Sequence, residues 1–87
     1  MINATALGMF IILDALVGPL KVNSAYRSPE HNARVGGTPH SKHIYGKAFD
    51  LGTHHLNKEQ KKQLEDKARK FFDYVKVYST HIHVHIN

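Results

Sequence analysis

Apolar positions follow two rhythms along the chain, and each rhythm marks its own elements. Leu7, Phe10, Ile11, Leu13, Leu16 and Val17 recur at helical spacing over a broad face, with Asn3 placed to cap the start and Gly18-Pro19 to end it. So broad a face predicts a buried helix. Leu20, Val22 and Ser24 alternate, predicting a short strand over 20–26 that Arg27-Ser28-Pro29 breaks. Residues 28–45 hold two prolines, the pair Gly36-Gly37 and many short polar residues without a sustained period. They predict a long ordered loop, and long loops in compact domains are usually functional.

Ala48 to Leu51 offers a strand that carries Asp50 and is ended by Gly52. Asn57 with Gln60 has the spacing of a capping box, and Leu64, Ala68 and Phe71 mark the buried stripe of a helix reaching about Phe72. Lys61 with Glu65, and Asp66 with Lys70, are spaced to pair on its exposed side. Tyr74 to Tyr78 and His81 to Ile86 alternate strictly on either side of Ser79-Thr80, the signature of a hairpin. These elements predict one α+β domain over residues 1–87, a small antiparallel sheet with flanking helices.

A chain of 87 residues has a small core, which a bound metal would help to hold. There is no cysteine, so disulfides, thiolate metal sites and a cysteine nucleophile drop out, and any metal must use His, Asp or Glu. Twelve Lys and Arg against seven Asp and Glu give a formal net charge of +5, which favours anionic partners such as nucleic acid, a cell-wall polymer or an acidic membrane without choosing among them. Nucleic acid is set aside as a partner. Acidic residues interrupt the basic run from Lys58 to Lys76, and no aromatic stacking array accompanies it. The stretch from Leu7 to Val17 has no basic residue before it, contains Asp14 and is too short to cross a bilayer. The expectation is a soluble monomer with no membrane partner, made in the cytoplasm without an export signal of its own.

Side chains alternate across a strand, so Ile82, Val84 and Ile86 share one face while His81, His83 and His85 share the other. The aliphatic face must be the core. The histidine face is either polar surface or the wall of a site. His43 and Asp50, read singly, are an ordinary loop histidine and a turn residue. Read with the histidine strand they form a compatible set, because imidazole and carboxylate suit zinc, and a catalytic zinc typically takes three protein ligands and a water. A set of His43, His81 and His83, with Asp50 outside it, satisfies the same requirement.

Ser24-Ala25-Tyr26-Arg27-Ser28-Pro29, Asn32, Val35-Gly36-Gly37, Ser41-x-His43-x-x-Gly46-x-Ala48-x-Asp50 and His81-x-His83-Val84 occur in that order. This series resembles the zinc D-alanyl-D-alanine carboxypeptidase family, whose fold is shared by the Hedgehog signalling domain. The resemblance implies Zn2+ held by His43, Asp50 and His83, with a zinc-bound water as nucleophile. It implies His81 as the catalytic base, Arg27 as the group that stabilises the oxyanion and binds substrate, and Ser41 as a second substrate contact. The implied activity is a metallopeptidase hydrolysing an amide bond in peptidoglycan stem peptides, carboxypeptidase-like or endopeptidase.

Two positions depart from the family pattern. Thr80 stands where some relatives carry an acidic base, which leaves that role to His81. His85 stands where the family commonly has Asp, so the carboxylate that would orient His83 is absent. A non-catalytic zinc-containing module that binds cell wall or protein is the alternative on this fold. The expected setting is the cell wall, reached by a phage endolysin or a virion-associated protein.

Overall fold

In the computed structural model, which describes residues 1–38 and 40–87, the elements run α1 (Ala4–Val17), β1 (Lys21–Ser24), α2 (Pro29–Arg34), β2 (Ala48–Gly52), α3 (Lys58–Phe71), β3 (Tyr74–Val77) and β4 (His81–His85). Pro39, the second proline of the expected loop, lies outside the described residues. The strands form one antiparallel sheet in the order β1-β2-β4-β3. The α+β class holds. Phe49 and Leu51 from β2 and Ile82, Val84 and Ile86 from the β4 segment form the inner face, on which Ala6 and Leu13 of α1 and Leu64, Ala68 and Phe72 of α3 pack.

Caps set the helix ends as expected. Asn3 Oδ1 accepts from the Thr5 and Ala6 amides, and Asn57 and Gln60 make both bonds of the capping box. α1 is less buried than its broad apolar face suggests. Only Ala6 and Leu13 are fully covered, while Leu7, Ile11, Ile12 and Leu16 are 41 to 58% exposed. One layer of α3 and sheet can cover one stripe of a helix, and a chain this small supplies no second layer. On α3 the i,i+4 pairs are Lys62 with Asp66 and Glu65 with Arg69, each at 2.9 Å, rather than the two expected. The helix offers several partners at one spacing, and exposed pairs of this kind differ by only a few tenths of a kcal/mol.

Two local features escape a periodic reading. Within the expected loop, residues 29–34 form α2: Ser28 Oγ accepts from the His31 amide, Pro29 opens the helix and Glu30 lies in its first turn. Six residues are too few to show a helical period, and Ser-Pro, taken above as a break, is here a start signal. In β1 the register slips between Val22 and Ser24, so Val22 lies opposite Leu51 but Ser24 opposite Asp50. Alternation alone would leave Ser24 on the same face as Val22; the bulge turns it to the face that carries Asp50.

Candidate metal centre

β2 and β4 are the two central strands, and their register sets Asp50 directly opposite His83. Phe49 opposite Val84 and Leu51 opposite Ile82 fill the core side, so Asp50 and His83 must share the outer face. The contact is direct, with His83 Nδ1 2.8 Å from Asp50 Oδ1. Ala48 and Gly52 flank Asp50 on that face.

His43 arrives from the α2–β2 connection, which is tied down at several points. The Arg27 amide donates to the His43 carbonyl at 3.0 Å, and the Asn3 amide donates to the Gly46 carbonyl at 2.8 Å. Gly46 has φ +68°, and a Cβ there would strike the Met1 carbonyl. The hydroxyl of Ser41 accepts from the His43 amide and so helps to set this turn. The His43 ring is 2% exposed and places Nδ1 2.7 Å from the Ala25 carbonyl.

That contact fixes the tautomer. A carbonyl only accepts, so Nδ1 carries the proton and Nε2 keeps its lone pair. Nε2 is buried without a hydrogen-bond partner, 3.1 Å from Asp50 Oδ2. A lone pair facing a carboxylate oxygen at that distance is unfavourable, and either a metal ion between them or a proton on Nε2 relieves it. Burial works to raise the Asp50 carboxyl, but the adjoining His43 and His83 outweigh it and hold the group well below the usual carboxylate range. The carboxylate is therefore ionised at neutral pH.

Donor atoms of His43, Asp50 and His83 all lie within 4.8 Å of one another, a group that could hold a metal ion. Two imidazoles and a carboxylate suit zinc and leave room for a fourth ligand. His81 belongs to no such group among the described residues, so the structure favours the set that includes Asp50 over the one that replaces it. His81 lies instead beside Tyr78, ring centroids 4.6 Å apart and nearly parallel, with Nδ1 2.9 Å from Thr80 Oγ1.

Arg27 is fixed by three acceptors: Nε donates to Ser24 Oγ, one terminal nitrogen to Asn32 Oδ1 and the other to Asp50 Oδ2, all at 3.2 to 3.3 Å. Asn32, 2% exposed, also donates from Nδ2 to the Thr38 carbonyl at 2.7 Å. A Cβ on Gly37 would strike the Asn32 side chain. Sequence reasoning assigned roles to neither Asn32 nor Tyr74. Asn32 gave only its place in the motif series, whereas Tyr74 was legible, since a turn at Ser79-Thr80 sets Tyr74 opposite His85. The structure has that register.

A family model described as Peptidase M15 matches residues 3–87. Over 34 residues the chain is 50% identical to a zinc D-Ala-D-Ala carboxypeptidase of Streptomyces albus G. The stretch amounts to 39% of this chain and only 13% of that protein.

Proposed function

The chain belongs to the peptidase M15 family, and on that premise we propose that it is a zinc peptidase hydrolysing an amide bond in peptidoglycan stem peptides. The carrying observation is the buried, unpartnered His43 Nε2 facing the ionised Asp50. The named relative, a zinc D-Ala-D-Ala carboxypeptidase, supports both the metal and the substrate class. His43, Asp50 and His83 would hold zinc, which when bound would supply an acidified water, with a pKa of about 7, and a Lewis acid for the scissile carbonyl.

The chain's own residues supply the rest. Arg27, its fork already fixed by Ser24 and Asn32, presents a permanent positive charge beside Asp50, where negative charge develops on the carbonyl oxygen. His81 shares the outer face of β4 with His83, roughly 6.6 Å along the strand. Thr80 engages its Nδ1, which leaves Nε2 to take a proton from the attacking water and return it to the leaving amine. Ser41 keeps a hydroxyl hydrogen to donate to the peptide's terminal carboxylate or backbone.

Mass spectrometry of products from defined muropeptides tests this reading. Cleavage should stop when a chelator removes zinc, and His81→Ala should lower kcat by about 10²- to 10⁴-fold with zinc retained. Undiminished cleavage after chelation would sink the proposal. Thr80, standing where some relatives carry an acid, favours one second reading, a zinc-containing module that binds a wall peptide without cutting it. Retained zinc and peptide affinity with no turnover would establish that one. The net charge of +5 suits an anionic wall, and a phage lysis or virion-associated setting would bring the enzyme there; lysis of purified walls checks it.

A further inference from the structure

His85 lies two residues beyond His83 on the outer face of β4, and it has two partners there. Its Nδ1 is 2.9 Å from His83 Nε2. Tyr74, its direct cross-strand neighbour, lies flat against its ring, centroids 4.6 Å apart and planes 7° from parallel. The His83 ring meets both edge-on, Tyr74 at 6.0 Å and His85 at 5.1 Å. Stacking of this kind restrains the His85 ring, so its Nδ1 stays where His83 Nε2 needs a partner.

Only one of the two nitrogens in that contact can carry the proton. At the far side of the His83 ring, Nδ1 faces Asp50 Oδ1, a carboxylate oxygen that only accepts. Without metal, therefore, Nδ1 of His83 holds the proton, Nε2 is the acceptor and His85 donates from Nδ1. A metal ligand must offer a lone pair, and Nδ1 is the nitrogen aimed at Asp50. Loading then moves the His83 proton to Nε2, and the contact survives only if His85 Nδ1 becomes the acceptor and its own proton moves to Nε2.

We propose that His85 is a positioning residue for the metal site: a neutral imidazole, held by Tyr74, that accepts from His83 and fixes its Nε2–H tautomer, with both tautomers reversing when zinc is loaded. Each ring holds one proton before and after. His85 thus does for His83 what the Ala25 carbonyl does for His43. The proposal rests on the zinc site and not on the peptide substrate.

Competition with a chromogenic chelator measures zinc affinity of the whole chain, and NMR of 15N-labelled histidines reads the tautomers. His85→Phe keeps a ring against Tyr74 but offers no acceptor, and is expected to lose about 10- to 100-fold in zinc affinity. His85→Asp restores an acceptor and is expected to recover most of it. In the unaltered protein, zinc should move the protonated nitrogen of both rings from Nδ1 to Nε2. Wild-type affinity in His85→Phe, or a loaded His85 still protonated at Nδ1, would overturn the proposal. The spectroscopic reading requires no variant to fold. Both measurements omit substrate, so the expected tautomers and affinities without peptidase activity would refute the proposed function and leave the role of His85 intact.

Discussion

Asp50 is the side chain on which the others converge, since His43, His83 and Arg27 all reach its two oxygens. Asp50→Asn separates its metal role from its packing role. An amide nitrogen in place of Oδ2 can donate to the His43 Nε2 lone pair while Oδ1 still accepts from His83, but Arg27 loses its carboxylate acceptor. The metal-free variant should lose about 1 to 3 kcal/mol of stability and more zinc affinity than the roughly 10- to 100-fold that an outer partner costs. Calorimetric zinc titration beside thermal unfolding checks both halves. Arg27→Lys asks a different question, because an ammonium cannot reproduce a fork held by three acceptors. If Arg27 served only to hold Asp50, saturating zinc would restore kcat. The expectation is a fall in kcat of about 10²- to 10³-fold that zinc does not rescue.

α2 shows how a six-residue element contributes to the chemistry. It sets Asn32 between Arg27 and the Thr38 carbonyl, and Gly37 gives that side chain its space. Asn32→Ala deletes two hydrogen bonds, one from Arg27 and one to the Thr38 carbonyl, each worth about 0.5 to 1.5 kcal/mol, and frees the Arg27 fork. Kinetics at a temperature where the variant stays folded should show kcat reduced with zinc still bound. Asn57→Ala is the contrast: loss of the α3 cap costs about 1 kcal/mol and should leave kcat unchanged, because none of the site residues lies on α3. The same comparison explains what could be read in advance. α3 and the hairpin carry long, clean periods, so their spans and the outward face of the histidines were legible. Asp50 and His83 were legible as partners because both lie on strands whose alternation fixes their face. α2, the slip that turns Ser24 outward and the reach of Arg27 depend on a cap, a bulge and tertiary acceptors, which leave no periodic trace.

At the scale of the molecule, the metal site joins parts that the core holds unequally. Asp50 and His83 lie on the two central strands, backed by Phe49, Leu51, Ile82 and Val84. His43 comes from a connection held by a few backbone bonds and contributes nothing to the apolar cluster. Zinc would therefore clamp a segment held by hydrogen bonds rather than by the apolar cluster to the firmest part of the sheet. A ligand that binds only the folded state at a thousand times its Kd adds about 4.1 kcal/mol. Each kcal/mol moves the melting temperature of a domain this size by about 4 to 8 °C. Removing zinc with a chelator should then lower the melting temperature by roughly 15 to 30 °C. Hydrogen exchange on the metal-free protein should rise first between Arg27 and Lys47, with β2 and β4 still protected, because the loss of one ligand contact releases the loop before it touches the core. A melting temperature that does not respond to chelation would mean that no metal clamps His43 to the sheet, and the unpartnered Nε2 would then need another cause.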